Sequence, residues 1–210
     1  MGRKFGIFCL LLGICCLLCS VGFLFYNHLE GNRAEIASDS LLQEVQEIII
    51  APPHEDNSKE EISQKEASEI ENTVMDAPKE MLTTQVDGYD CIGVLSIPVL
   101  ELELPVLTDW SYEKLKIAPC HYYGTYYESD FVIAAHNYQS HFGRLSALQP
   151  KDLILFTDIS GTIHCYEVVL LETLPGNATE EMITSGFDLS LYTCTPGGGS
   201  RVTVRCNAVK

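Results

Sequence analysis

Hydrophobic and polar positions divide this chain of 210 residues into three stretches. Residues 5–26 (FGIFCLLLGICCLLCSVGFLFY) contain no charge, and as a helix they would extend about 33 Å, enough to cross a bilayer core. Arg3 and Lys4 stand directly before this run, so the positive-inside rule keeps the N-terminus in the cytoplasm and exports the chain beyond Tyr26. We therefore expect residues 1–26 to form a cytoplasmic tip and a transmembrane anchor.

Two other interpretations of the apolar run fit less well. A cleaved signal peptide needs a shorter apolar core and a small-residue cleavage site, and no convincing A-x-A pattern comes after Ser20. A lipid anchor would use Cys15, Cys16 or Cys19, but the residues before these cysteines are not the small residue that is typical of such a signal. The uncleaved single-pass anchor is the interpretation that we keep.

The second stretch, residues 27–87, is strongly acidic. It contains 15 acidic and 4 basic residues and so carries most of the chain's net charge of −16. Apolar residues between Leu41 and Ile49 follow helical spacing and predict a short amphipathic helix, whereas residues 51–80 have the charged, aromatic-poor composition of a disordered spacer. We expect a stalk, partly helical or disordered, that holds the next domain away from the membrane. The acidity argues against nucleic acid as a partner.

The third stretch, residues 88–210, predicts one domain of short strands. Between 100 and 107, apolar residues alternate with Glu101, Glu103 and Pro105, which is the period-two pattern of a half-buried strand. Further apolar runs, separated by glycine and proline, occupy residues 131–136, 152–157, 163–173, 189–194 and 201–206. Such short strands with regular turn signals indicate an all-β fold, a closed or nearly closed β-barrel with short helices.

Cysteines occur in both the anchor and the exported domain. Four lie in the anchor, where a thiol behaves as a small apolar group, and five lie in the exported domain: Cys91, Cys120, Cys165, Cys194 and Cys206. No C-x-x-C pair occurs among the five, so nothing indicates a structural zinc site. Disulfides are possible outside the cell, but an odd number of cysteines leaves at least one thiol unpaired.

Three polar residues stand beside predicted strand ends. His136 ends FVIAAH, Cys194 ends LSLYTC, and Arg201 comes after the turn TPGGGS and opens the next strand. A hairpin-like connection would bring Cys194 and Arg201 to the same end of adjacent strands, and period two places Arg201, Thr203 and Arg205 on one face. Arg205 is less well placed, since it lies about 13 Å further along the strand.

A thiol, an imidazole and a guanidinium suffice for acyl transfer. The thiolate is a strong nucleophile, and an imidazole can take its proton and later protonate a leaving amine. A guanidinium offers a permanent charge and a fork of donors to a carbonyl oxygen that gains negative charge. Buried cysteines are usually inert, however, and histidines or arginines at strand ends are usually only solvated, so spacing alone leaves the question open.

Three segments resemble the sortase family of cysteine transpeptidases, and they occur in the family's order. LYTCTPGGGSRVTVRC is similar to the sortase signature, in which a TLxTC strand is followed by a turn and an Arg-initiated strand. VIAAHNYQSHFGRL resembles the segment around the catalytic histidine, and IGVLSIPVLELELPVL resembles the opening strand pair. Ser190 and Ala135 depart from the usual Thr and Gly of these motifs, but neither departure removes a reacting group.

The resemblance assigns a role to each candidate residue. Cys194 would be the nucleophile, His136 its acid/base partner, and Arg201 the residue that stabilises the oxyanion or orients the substrate. Thr193, directly before the nucleophile, is expected to help hold the substrate backbone. His141 is the alternative histidine, but it lies in a predicted loop rather than at a strand end, so we prefer His136.

The resemblance also implies an activity and its partners. The acyl donor would be an LPxTG-like sorting signal of a secreted surface protein, and the acceptor an amine of a cell-wall precursor or a pilin. The reaction would pass through a thioacyl enzyme and need no metal or organic cofactor. The anchored catalytic domain would work outside the membrane of a Gram-positive-type cell. The class of sortase stays open, because the RVTVRC end is similar to pilus-assembling members and the AHN segment to members that handle surface or haem-uptake proteins.

Other functions match the sequence less well. The Ser-His-Gly-Cys core of L,D-transpeptidases does not precede Cys194, and papain-like peptidases place cysteine before histidine, whereas here His136 precedes Cys194 by 58 residues. A caspase-like order fits, but the Gln-Ala-Cys signature is absent. From another class, the alternative is a non-catalytic, membrane-anchored β-barrel binding module, which has no need of a reactive cysteine.

Overall fold

The computed structural model describes residues 2–50 and 80–209, so the spacer predicted for residues 51–80 lies almost wholly outside the described residues. The helices and strands in chain order are α1 (Gly2–Ile50), β1 (Thr84–Val86), β2 (Tyr89–Ile97), β3 (Leu102–Leu107), β4 (Cys120–Tyr123), β5 (Phe131–Ala135), β6 (Leu153–Asp158), β7 (Ile163–Pro175), α2 (Thr179–Ile183), β8 (Leu189–Cys194) and β9 (Ser200–Ala208). Short 3₁₀ turns occupy Pro98–Leu100, Lys114–Lys116 and Phe142–Ala147.

Strands β2 to β9 form a closed barrel. The order around it is β2-β3-β4-β5-β8-β9-β7-β6, and β6 pairs with β2 to close the ring, while the short β1 adds to the start of β2. The closure brings Gly93 of β2 against β6, where an added Cβ would meet the carbonyl oxygen of Thr157, so glycine allows the close approach of the two backbones. The predicted all-β barrel with short helices is confirmed.

Helix α1 continues without a break from the predicted anchor onto the barrel. Its first part is exposed and apolar, and it is long enough to cross a membrane by length and composition. Ala34, Leu41 and Val45 then form a buried stripe at helical spacing that packs on β1, β2 and β3. The helix predicted near Leu41–Ile49 is thus the end of a longer one, because no proline interrupts residues 27–50 and the stripe is stabilised by the barrel.

Alternating side chains give the barrel two apolar layers. One fills its interior, with Leu95, Phe131 and Phe156 completely buried. The other lies between α1 and the outer face, with Val45 and Leu107 completely buried. Each such side chain stabilises the fold by about 1.5–3 kcal/mol.

Two details of the strand pattern differ from the prediction. Strand β4 was not predicted, because its four residues, CHYY, are too few to show alternation. The sheet also begins at Thr84, within the stretch that the sequence assigned to the stalk. Both elements are short, and they are stabilised by pairing with longer neighbouring strands.

Candidate active site

Three neighbouring strands place the predicted site residues side by side. Strands β5 and β8 run parallel and pair Ala135 with Thr193, so His136 comes directly after β5 at the level where β8 ends with Cys194. Strand β9 runs antiparallel to β8 and pairs Arg201 directly with Cys194. Cys194 therefore lies on the central strand, with His136 on one side and Arg201 on the other.

The three side chains share one pocket on the outer face of the barrel. Ala135 belongs to the inner core and Val202 packs against it, so the next residue along each strand faces outward. A cavity of about 130 Å³ on this face is lined by His136, Cys194 and Arg201 together. The structure thus brings together the three residue types that the sequence analysis selected for acyl transfer.

His136 is half-buried beside the cysteine strand. Burial lowers the pKa of its imidazole below the ordinary value, and the positive charge of Lys116 lowers that pKa further. Its ring lies 5.1 Å from the ring of Tyr138, centroid to centroid, and its backbone carbonyl accepts a hydrogen bond from the Phe142 N–H at 3.2 Å. A depressed pKa keeps the imidazole neutral near pH 7, which suits a base that takes a thiol proton.

The five thiols of the barrel differ in their surroundings, and all five are free. Burial raises the pKa of Cys91 to about 11 and the pKa values of Cys120 and Cys206 to about 12, so these thiols stay protonated. Cys165 is half-buried on β7 and lines a different pocket. Cys194 is half-buried and lies in the pocket with the histidine and the arginine. It is therefore the thiol best placed to react.

Arg201 is held by the turn that precedes it. Its Nη1 donates hydrogen bonds to the carbonyl oxygens of Gly198 at 2.9 Å and Ser200 at 3.1 Å. The Thr195 N–H donates to the Ser200 carbonyl at 3.0 Å and closes the same hairpin. These bonds fix the guanidinium beside Cys194, and in the described part of the chain no hydrogen bond occupies its Nε or Nη2.

The side chain of Thr193 does not face the pocket, and its expected role in holding the substrate backbone stays a prediction. Its side chain is only 3% exposed, and its Oγ1 donates a hydrogen bond to the Ala135 carbonyl oxygen at 2.8 Å. Period two turns this side chain inward because that of Cys194 turns outward. Thr193 therefore links the cysteine strand to the histidine strand, and its hydroxyl is not directed at a substrate.

Arg205 lies on the same face of β9 as Arg201, but it is buried at 2% exposure. Its Nε donates to Glu172 Oε1 at 2.8 Å, and one Nη donates to Ser190 Oγ at 2.8 Å. The other Nη donates to the Glu181 carbonyl at 2.7 Å, at helix α2. Its donors are thus used by the protein, whereas Arg201 reaches the pocket.

His141 is completely buried and does not line the pocket of Cys194. Burial, and next the charge on His136, lower the pKa of His141 to about 4. Within the described residues neither ring nitrogen has a hydrogen-bond partner of good geometry, although the Ala34 backbone lies near enough to raise the pKa slightly. The position favours His136 over His141 as the partner of the cysteine.

The sequence analysis missed the aromatic wall of the pocket. The ring of Trp110 lies 5.7 Å from that of Tyr112 and 5.6 Å from that of Tyr122, and the ring of Tyr122 lies 5.4 Å from that of Tyr192. Leu115, from the 3₁₀ turn Lys114–Lys116, and Met182, from α2, complete this wall. The aromatic density of WSY and CHYY was the available signal, but only the fold brings these segments to one place.

Comparison with known proteins identifies the fold and the family. A protein-family sequence model, described as "Sortase domain", matches residues 95–209, which is more than half of the chain. Comparison with curated proteins gives no significant match.

Solved structures of several sortase classes are similar to the chain. Sortase A from Corynebacterium diphtheriae is 25% identical with a TM-score of 0.52, and the match covers 58% of this chain and 62% of that protein, which is less than two thirds of its length. Sortase C from Clostridium perfringens with the C-terminal cell wall sorting motif is 20% identical with a TM-score of 0.52, covering 58% of this chain and 71% of that one. A Clostridium perfringens sortase D5 transpeptidase is 19% identical with a TM-score of 0.51, covering 57% and 79%. Because the family model spans more than half of the chain and the barrel has the same fold, the chain belongs to the sortase family.

Proposed function

We propose that this protein is a membrane-anchored cysteine transpeptidase, which cleaves an LPxTG-like sorting signal and transfers the surface protein to an amine. The observation that supports this best is the position of Cys194 between His136 and Arg201, at the ends of three adjacent strands in one pocket. The aromatic and aliphatic wall of that pocket suits the apolar side chains of a peptide.

The first half of the reaction forms a thioester. The thiol of Cys194 gives its proton to His136, and the sulfur attacks the carbonyl carbon of the scissile peptide bond. The carbonyl oxygen becomes negative, and Arg201 stabilises that charge with donors that its turn holds in place. His136 then protonates the leaving amine, the C–N bond breaks, and the acyl group remains on sulfur.

The second half transfers the acyl group. An incoming amine attacks the thioester, His136 takes its proton, and the thiolate of Cys194 leaves and is reprotonated. The product is a new amide bond. We propose a cell-wall precursor or a pilin as the source of the amine, and the solved Clostridium perfringens sortase C, described with the C-terminal cell wall sorting motif, supports a sorting signal as the donor.

We also propose that the protein stays in the membrane, with its N-terminus in the cytoplasm and its barrel outside a Gram-positive-type cell. The exposed apolar part of α1 supports this. Intact mass of the chain from a membrane fraction tests the anchor, because retention of residues 1–26 is expected. A mature N-terminus between residues 20 and 30 would contradict it.

The activity is tested with the full chain in detergent and a sorting peptide. Without an amine acceptor, the wild type should accumulate an acyl adduct on Cys194, and hydroxylamine should release it. Cys194→Ala should abolish cleavage and ligation with the fold intact. Cys165→Ala is the matched control, because Cys165 is also half-buried but lies in another pocket, and it should retain activity.

Two further variants separate the roles of the partners. His136→Ala should lose most turnover, and the loss should not add to that of Cys194→Ala, because the acid has nothing to assist once the nucleophile is gone. Arg201→Lys keeps the charge but loses the planar fork, so turnover should fall strongly, and it should fall much more than in Arg205→Lys. An adduct on another cysteine, or full activity of Cys194→Ala, would refute Cys194 as the nucleophile. A folded wild type that forms neither adduct nor ligation product would refute the transpeptidase and favour a binding module.

A further inference from the structure

Helix α1 lies along the barrel in a defined direction. Its residues 27–35 line a pocket with Asn137–Ser140, the loop directly after His136. Its last turn lies at the β6–β7 turn, where an added Cβ on Gly161 would be 3.7 Å from Ile49 Cγ2. The helix therefore runs from the end of the barrel that carries the candidate active site to the opposite end.

Strand β7 shows how far apart these two ends are. It begins at Ile163, next to the β6–β7 turn, and ends at Pro175, which lines the pocket of Cys194. Its 13 residues extend at most about 40 Å along the strand, and the tilt of barrel strands makes the distance between the two ends shorter than this. Helix α1 covers a comparable distance, about 35 Å from Tyr26 to Ile49.

The apolar part of α1 precedes residue 27 in the same unbroken helix. The packing of Ala34, Leu41 and Val45 fixes the barrel to that helix, so the barrel cannot turn freely about a flexible stalk at this point. Residues 27–50 therefore do not hold the barrel away from the anchor, in contrast to the stalk expected from the sequence. Asn137–Ser140 lies at the height of residues 27–35, at most about 14 Å from Tyr26 along the helix axis. Headgroup regions add about 5–7 Å to each side of the hydrocarbon core, so this loop lies next to them.

The side chains at this end suit a membrane surface. Trp110 and Tyr112 are 41% and 71% exposed, and Tyr26 at the end of the apolar stretch is 58% exposed. Tryptophan and tyrosine are enriched at the headgroup level of membranes, because their rings are apolar with one polar group. Ile163, at the opposite end of the barrel, is also exposed and so offers a site for a comparison.

We propose that the active-site end of the barrel faces the membrane surface, with the Asn137–Ser140 loop and Trp110 at the lipid headgroups and the β6–β7 turn pointing away. The proposal rests on the membrane anchorage proposed above. Its functional consequence is that Cys194 acts on peptide bonds held close to the bilayer, and the rigid part of α1 sets that distance.

The single tryptophan of the chain is a natural probe for this orientation. The full chain is reconstituted in phosphatidylcholine vesicles that contain a lipid with a nitroxide on its headgroup, and tryptophan quenching is measured. The control is the double variant Trp110→Phe with Ile163→Trp, which moves the probe to the far end, where Ile163 is 62% exposed. We expect quenching of Trp110 to be several-fold stronger than quenching of the tryptophan at position 163.

A second variant changes the distance of the barrel from the membrane surface without changing the barrel itself. Seven helix-forming residues inserted after Tyr26 add about 10 Å and rotate the helix by only about 20°, so quenching of Trp110 should fall clearly. Equal quenching at both positions, stronger quenching at position 163, or no effect of the insertion would overturn the proposal. A chain that does not remain with the vesicles would contradict the anchor and this orientation with it.

The orientation is independent of the chemistry. Cys194→Ala should be quenched like the wild type, because the substitution does not touch α1 or its contacts. An inactive protein with strong quenching of Trp110 would therefore refute the proposed function and support the orientation. An active protein with stronger quenching at position 163 would support the proposed function and refute the orientation.

Discussion

Arg205→Met tests whether this buried arginine is structural while Arg201 is catalytic. Methionine has a similar length, but it cannot donate to the Glu172 carboxylate, to Ser190 Oγ or to the carbonyls of Glu181 and Met182. Ser190 is completely buried and the Glu172 side chain is 31% exposed, so water can solvate the carboxylate but not the hydroxyl. In Arg205→Met the Ser190 hydroxyl therefore loses a hydrogen-bond donor that water cannot replace, whereas water can partly replace the donor lost by Glu172.

The structure allows the loss to be estimated. Removing one member of a buried ion pair typically costs about 3–5 kcal/mol, and each buried acceptor left without a donor costs about 1–3 kcal/mol. Because Glu172 is partly solvated, we expect a total near the lower figure, about 3 kcal/mol. For a chain of this size that lowers the midpoint of thermal unfolding by roughly 10 °C.

The assay compares two variants of the full chain in detergent. Thermal and urea unfolding are followed by the fluorescence of Trp110, and peptide ligation is measured on the same samples at a temperature where both remain folded. Arg201→Met is the matched control: it loses only bonds to its own turn, so its stability should change by less than about 1 kcal/mol while its turnover collapses.

The opposite pattern would refute this reasoning. If Arg205→Met unfolds like the wild type, the buried network does not stabilise the barrel. If folded Arg205→Met loses as much turnover as Arg201→Met, Arg205 takes part in the reaction, directly or through α2.

Four other variants probe individual contacts. Thr193→Val should lose about 1–3 kcal/mol of stability, measured by urea unfolding, because the Ala135 carbonyl loses its buried donor. Gly143→Ala should impair turnover, measured by peptide ligation, because its Cβ would lie 2.6 Å from the Asn137 carbonyl oxygen and displace the loop after His136. Burial of His141 should make the fold less stable as pH falls from 6.5 to about 4, because its ring is neutral in the folded protein and binds a proton in the unfolded chain. Unfolding measured at several pH values should show that the free energy of unfolding falls by at most about 3 kcal/mol over this range, and His141→Leu should lack this fall. Cys120→Ala should reduce stability by about 0.5–3 kcal/mol and leave ligation intact.

Controls for these variants are available within the chain. Thr193→Ser keeps the hydroxyl and should retain more stability than Thr193→Val, and Gly199→Ala meets no atom within 4 Å and should leave ligation unchanged. An unchanged pH dependence in His141→Leu would show that another group causes it. Loss of turnover in folded Cys120→Ala would contradict the assignment of Cys194 as nucleophile.

Sequence alone determined the features that depend on neighbouring residues. A run of 22 uncharged residues from 5 to 26 predicts an apolar helix whatever the fold of the rest of the chain. The alternation in β3, β8 and β9 predicts which side chains share a face of their strand. Strand ends are visible where an apolar run stops or a glycine-rich turn begins, and for this reason His136, Cys194 and Arg201 could be selected as candidates before the fold was known. Family motifs then indicated their roles.

Tertiary structure decided everything that depends on contacts between distant segments. The pairing of β5 with β8 and of β8 with β9 brings His136 and Arg201 to Cys194, and the same pairing directs Thr193 inward to Ala135. Burial of the Arg205 side chain depends on α2, and the continuous α1 depends on packing against β1 to β3. The local pattern of apolar and polar residues determines on which face of its strand a side chain lies. Which segments that face contacts is decided only when the barrel closes, because the closing contacts join segments far apart in the chain.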